Sequence, residues 1–118
     1  ICLLKEVAKN EEQLLLSCAP DGTPNEFNVS HPQDIADAII LGLEKDVAAG
    51  QVYNVGHGAS FNFGEMIPYM AEKLNMSYVR LNIPMSPYHG FTSNAKARAQ
   101  LGYEPKYDPR TLIDAAFE

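Results

Sequence analysis

The residues with chemical potential sit in a few short stretches. Val52-Tyr53-Asn54-Val55-Gly56-His57-Gly58 leads from an apolar run through two glycines towards a helical pattern, an arrangement that can bring backbone N–H groups against a phosphate. The third glycine of such a turn, expected three positions after Gly58, is Phe61 instead, and no acidic residue ends a following strand at the usual distance. A strand-to-helix turn that uses glycine for backbone freedom is the expected reading. Asp34 and Asp37 share a helical face, as paired carboxylates can, but their place in the first turns suits the positive end of the helix dipole. Cys18 lies beside an apolar stretch and is expected to be a small buried hydrophobe rather than a nucleophile. Tyr88 and His89 occupy a loop rich in Pro, Ser and Gly, and loops on a rigid scaffold often carry ligand contacts. His31 is expected to cap a helix or bond nearby backbone. There is no Gly-x-Ser-x-Gly elbow and no Cys-x-x-Cys, and the three histidines are scattered, so neither a serine nucleophile nor a metal centre is expected.

Composition narrows the field further. The chain has 118 residues, 46% hydrophobic and 20% charged, which is the make-up of one globular domain with one core. Its net charge of −6 is the wrong sign for a nucleic-acid backbone, so no nucleic-acid partner is expected. Residues 1–79 hold eleven acidic and four basic residues, whereas residues 80–118 hold four and five. All three arginines, Arg80, Arg98 and Arg110, lie in the last third. The longest apolar runs are far short of the ~20 residues of a membrane-spanning helix, so no membrane partner is expected. Two cysteines without a secretory signal pattern suggest two buried thiols and a cytoplasmic location.

The elements that must position these residues alternate along the chain. A helical stripe runs through residues 1–10, followed by a strand at 14–18, a turn at 20–25, a strand at 27–30 and a helix at 32–45. A strand at 51–55, a helix at 63–74 and a strand at 78–83 follow, then a loop at 84–92 and helices from 94 to 101 and from 109 onwards. Ser30-His31-Pro32-Gln33 offers a capping hydroxyl with glutamine three residues on, and Ile35, Ala36, Ile39, Ile40 and Leu43 are expected to form a buried stripe behind it. Asn62 repeats the capping logic ahead of Phe63, Met66, Ile67, Met70, Ala71 and Leu74, with Pro68 expected to kink that helix or offset its first turn. Asp108 with Pro109 opens the last helix. The alternation predicts an α/β chain with at least part of a parallel sheet. A helical pattern at residue 1 with no cap before it, and a stripe still running at Glu118, suggest the C-terminal piece of something larger.

Three segments in order carry a resemblance: Phe27-Asn28-Val29-Ser30-His31-Pro32-Gln33-Asp34-Ile35-Ala36-Asp37-Ala38; Gln51-Val52-Tyr53-Asn54-Val55-Gly56; and Ser93-Asn94-Ala95-Lys96-Ala97 with Leu101-Gly102-Tyr103-Glu104-Pro105. Together they resemble the C-terminal region of the extended short-chain dehydrogenase/reductase family, the NAD-dependent sugar epimerases and dehydratases. The resemblance implies the C-terminal part of a Rossmann-like fold with pieces of the small substrate-binding lobe. Residues 27–75 would pack on the nucleotide-binding sheet, and residues 1–26 and 76–118 would come from the substrate-binding lobe.

The implied parent oxidises a sugar carbon with bound NAD or NADP through a Tyr-x-x-x-Lys pair, in which the lysine lowers the tyrosine pKa. Only Tyr69 and Lys73 match that spacing, on an ordinary amphipathic helix after the family's C-terminal landmarks begin, so the match is assigned to chance. This chain alone is expected to bind no cofactor and to lack catalysis. By position the resemblance implies substrate contacts from Leu16, Cys18, Tyr88 and His89. Relatives acting on nucleotide sugars usually carry two arginines that pair with the diphosphate. The corresponding stretches here read Asn25-Glu26-Phe27-Asn28 and Ile83-Pro84-Met85-Ser86-Pro87-Tyr88-His89, without arginine and with Glu26 to repel phosphate. The expected partners are a small-molecule substrate, a sugar derivative among the candidates, and either a second copy or the rest of a longer enzyme. The alternative is a non-catalytic module of the same ancestry that binds a small ligand or a partner chain.

Overall fold

The computed structural model of the chain describes residues 13–84 and 90–118. These form two compact units, one from residues 13–25 and 62–84, the other from residues 26–61 and 90–118. The helix expected over the first ten residues lies outside the described residues, as does Cys2.

In the first unit β1 (Gln13–Cys18) pairs in parallel with β4 (Ser77–Asn82), from Gln13 opposite Ser77 to Cys18 opposite Asn82. Helix α2 (Phe63–Leu74) packs on β1, and Leu16, Cys18 and Ile67 form a core to which Leu14, Phe63 and Met70 add. The Asn62 carboxamide accepts the Gly64 N–H at 2.8 Å, the predicted cap. Gly64 is required by packing, because a Cβ there would sit 2.8 Å from Pro24 Cγ. The helix runs on through Pro68 without a break, although that residue can donate no hydrogen bond to Gly64 O. Asn75 ends it in the left-handed conformation, φ 51°, with its N–H turned back to the last carbonyls.

The second unit holds α1 (Pro32–Glu44), a 3₁₀ turn (Asp46–Ala48), α3 (Ala95–Leu101) and α4 (Pro109–Ala116). A short pairing joins β2 (Glu26–Asn28) to β3 (Ser60–Asn62), a strand the sequence pattern did not announce. Ala38, Ala97, Leu101 and Tyr103 make the core, with Leu41, Ala48, Tyr53 and Val55 against it.

Three expectations need correction. The stripe of Ile35, Ala36, Ile39, Ile40 and Leu43 is exposed rather than buried, because α1 turns Asp34 and Ala38 inward instead. Residues 51–55 form no β-ladder: no described strand lies beside them, and a strand exists only as one side of a ladder. The cap of α1 is His31 rather than Ser30. His31 Nδ1 accepts the Gln33 N–H at 3.1 Å, while the Ser30 hydroxyl donates to Val55 O at 3.5 Å.

Candidate functional site

The densest polar constellation is built by the first turns of α1 and the segment ahead of α4. Asp34 is buried, 1% exposed, and its two carboxylate oxygens accept the backbone N–H of Lys106 at 2.9 Å and of Tyr107 at 3.2 Å. Asp37, one turn on, takes the Lys106 ammonium at 2.8 Å and the Gln33 carboxamide at 2.9 Å. Those bonds hold the Asp37 carboxyl below the usual carboxylate range and the Lys106 ammonium above its own. The His31 ring stacks on Tyr107, centroids 3.7 Å apart. This is a clamp in which one helix end fixes a loop. The two carboxylates are spoken for by backbone and ammonium, and they are not poised for acid–base exchange. The dipole explanation of Asp34 misses its main role, which lies seventy residues away in sequence and leaves no local signal.

The glycine turn can be tested as a phosphate cradle from its surroundings. A Cβ on Gly56 would lie 3.0 Å from Asn28 Nδ2, and one on Gly58, whose φ is +90°, would lie 3.1 Å from Asn94 Nδ2. Asn94, itself 6% exposed, donates to Gly56 O at 2.8 Å and to His57 O at 3.1 Å. The glycines are there so that this chain's own asparagines can approach, and with Phe61 in the place of the third glycine the turn is a structural one. These residues do not fit a dinucleotide. Asn28 Nδ2 in turn bonds the Thr92 hydroxyl, whereas the buried Asn28 Oδ1 and His57 Nδ1 have no hydrogen-bond partner among the described residues.

Residues 51–55 are held by side chains instead of a neighbouring strand. The Lys96 ammonium donates to Val52 O at 3.0 Å and Gln51 Oε1 at 2.9 Å, and lies 4.8 Å from the centre of the Tyr53 ring. The Tyr103 hydroxyl donates to Val55 O at 2.8 Å, and burial of that phenol raises its pKa. Outside these braces Val52 is 82% exposed and Leu43 83%, with Ile39, Ile40 and Val47 at least half exposed.

Of the residues singled out for substrate contact, Leu16 and Cys18 are fully buried in the core of the first unit, and the Cys18 thiol is free. Tyr88 and His89 lie outside the described residues. Tyr69 and Lys73 share α2, the ammonium 5.7 Å from the ring centre. Among the described residues no cluster of three His, Cys, Asp or Glu could hold a metal ion, and no helix is long and apolar enough to cross a membrane.

No family model matches the sequence, and no curated protein matches it. Solved structures do match. A short-chain dehydrogenase/reductase superfamily protein from Agrobacterium tumefaciens, with bound NAD, is similar over 97% of this chain and 35% of its own, at TM-score 0.90 and 24% identity. The ADP-L-glycero-D-manno-heptose-6-epimerase of Helicobacter pylori is similar over 97% of this chain and 34% of its own, at TM-score 0.69 and 19% identity. The UDP-glucuronic acid 4-epimerase of Bacillus cereus, in complex with UDP-glucuronic acid and NAD, is similar over 85% of this chain and 33% of its own, at TM-score 0.67 and 19% identity. The chain spans about a third of the length of these proteins, and over that third it has the mixed α/β fold of the Rossmann-like short-chain dehydrogenase/reductase and sugar-nucleotide epimerase structures.

Proposed function

We propose that this chain is the C-terminal, substrate-side portion of an NAD(P)-dependent sugar epimerase or dehydratase and has no catalytic activity by itself. The observation that carries the reading is the backbone likeness, TM-score 0.90, to an NAD-bound short-chain dehydrogenase/reductase about three times as long. The glycine turn, which lacks the third glycine and packs against Asn28 and Asn94, supports the second half of the statement, since the cofactor must then be held by other residues of the parent enzyme. Its role there is hydride transfer at a sugar carbon.

In that enzyme the two units serve two lobes. The unit of α1 and α3 packs on the nucleotide-binding sheet through the exposed Leu43 and Val52. The unit of β1, α2 and β4 belongs to the substrate-binding lobe. Tyr88 and His89 are the substrate contacts that the resemblance implies for this portion. Leu16 and Cys18 act through the strand that carries them, their side chains being committed to the core. A free, buried thiol suits a reducing cytoplasm.

The test is to prepare the natural polypeptide that contains this segment beside the 118-residue chain, and to titrate both with NAD and NADP. The longer protein should bind one of them and the short chain neither. Cofactor binding by the short chain, or a natural polypeptide with the mass of these 118 residues, sinks the reading. That second result would select a non-catalytic module for a small ligand or partner chain. Such a module is favoured by one observation: the sole Tyr-x-x-x-Lys match is a cation–π pair along α2.

A further inference from the structure

We infer that the outward face of α1 is covered by an apolar surface of the longer enzyme, and that this surface sends one lysine or arginine side chain into the groove beside Glu104. The inference rests on the proposed function, which supplies the longer enzyme, and adds the chemistry of the layer that meets α1.

α1 is apolar on both sides. Asp34 and Ala38 are buried, and Leu41 packs on the core of Ala38, Ala97, Leu101 and Tyr103. On the other side Ile35, Ile39 and Leu43 follow one another at four-residue spacing, with Ala36 and Ile40 alongside. Ile39, Ile40 and Leu43 are between 51% and 83% exposed, and Val47 in the 3₁₀ turn that follows is half exposed. A helix at the surface of a globular protein keeps one apolar stripe, whereas a helix that is apolar all round lies between two layers.

The setting of this face selects its occupant. Thirteen residues are too few to cross a bilayer, and the exposed Glu44 and Asp46 at the end of the helix repel an anionic lipid surface. A net charge of −6 sets two copies of the chain against each other. The solved structures that share its fold do so over 85% to 97% of this chain, which spans only 33% to 35% of theirs. The second layer therefore belongs to the same polypeptide.

The groove beside the face names the anchor. Ile40 borders an open groove of about 400 Å³, whose other walls include Leu41, Gly102, Glu104 and the Asp37–Lys106 pair. That pair neutralises itself at 2.8 Å. Glu104 is exposed, and among the described residues it has no hydrogen bond or ion pair. Glu44 and Asp46 are likewise unpaired there, against Lys45, whose ammonium lies beside Gly102. An apolar wall with an unpaired carboxylate at its rim fits a side chain with an apolar stem and a cationic head.

The test is footprinting of the purified natural polypeptide that contains this segment, kept dilute enough to be monomeric and compared with the same protein in urea. Hydroxyl radicals report Ile39, Ile40 and Leu43, and carbodiimide with glycine ethyl ester reports the Glu104 carboxyl. All four should label several-fold more slowly in the folded protein. Glu104→Gln should lower the thermal midpoint by roughly 2 °C or more, because it leaves a covered cation without its partner. Labelling of Leu43 near its unfolded rate overturns the inference, as does protection that appears only when the concentration is raised, which would make a second copy the occupant. Free labelling of Glu104, or an unchanged midpoint in Glu104→Gln, overturns the cationic anchor. Titration of the same preparation with NAD and NADP separates this inference from the proposed function. Cofactor binding with an open face overturns the inference alone, and a protected face without cofactor binding overturns the proposed function alone.

Discussion

The two units order their extended segments by different means. In the first, β1 gains its shape from β4, a parallel ladder of six residue pairs with Leu16 and Cys18 sealed under α2. In the second, residues 51–55 have no ladder, and Lys96 and Tyr103 hold their carbonyls from α3 and the loop after it. α1 buries Asp34 and Ala38 but leaves Ile39, Ile40 and Leu43 between 51% and 83% exposed. A ladder satisfies backbone groups and side chains together, whereas side-chain braces fix carbonyls and leave the apolar residues between them uncovered. An exposed apolar face of this kind is what the proposed packing against the rest of a longer enzyme would cover.

The largest effect expected from breaking this contrast is in the first unit. Leu16→Ala, at a position 1% exposed, should cost about 3 kcal/mol, because a buried leucine leaves both lost transfer energy and a cavity. Leu43→Ala, at a position 83% exposed, should cost less than about 0.5 kcal/mol in the 118-residue chain. Urea midpoints of the two variants at several protein concentrations check the pair. A large, concentration-dependent cost at Leu43 would mean that copies of the chain cover that face for one another, which is the self-association expected of a lone chain.

Helix positions were legible because caps and stripes are local. Asn62 and Asp108 cap as their types and spacing require, and Phe63–Leu74 is a helix to the residue. The parallel fold class was legible from alternation of elements. Residues 51–55 were not, since Val52-Tyr53-Asn54-Val55 has every strand propensity and only the absence of a described neighbour makes it a braced segment. The same blindness covers the site. Nothing in Asp34 announces the amides of Lys106 and Tyr107, whereas Phe61 in place of a third glycine already marked the turn at Gly56 and Gly58 as structural, as its packing against Asn28 and Asn94 bears out. Long-range polar pairing has no period to read.

That pairing supplies the next effect in size. Asp34→Asn keeps one acceptor oxygen and turns an NH2 towards a backbone N–H, so one buried donor is left without a partner. The cost should be about 2 kcal/mol. Hydrogen exchange should accelerate at the Lys106 and Tyr107 amides and leave the β1–β4 ladder protected. Equal loss of protection in both units would show that they unfold together and that the contrast between them is one of shape rather than of stability.

The smallest effect separates the braces by their response to acid. The backbone N–H and hydroxyl of Thr111 bond the Asp108 carboxylate at 2.8 and 2.9 Å and hold its pKa below the carboxylate range, and the Lys106 ammonium does the same for Asp37. A carboxyl whose folded pKa lies below its unfolded one binds its proton later in the folded state, so its contribution is whole above the unfolded value and is lost as pH falls through the folded one. Stability should therefore decline from about pH 4 downwards, the ordinary carboxylate range. Asp108→Ala should remove about 1 kcal/mol at neutral pH, as loss of a helix cap does, whereas Asp108→Asn should retain the cap and flatten the acid decline. Added salt distinguishes the two carboxylates. The exposed Asp37–Lys106 pair is screened, while the Asp108 cap rests on short-range bonds to neutral donors. An acid decline that vanishes in molar salt would assign it to the ion pair, and one that persists would assign it to the cap of α4, in which case α4 is the first element of the second unit to loosen.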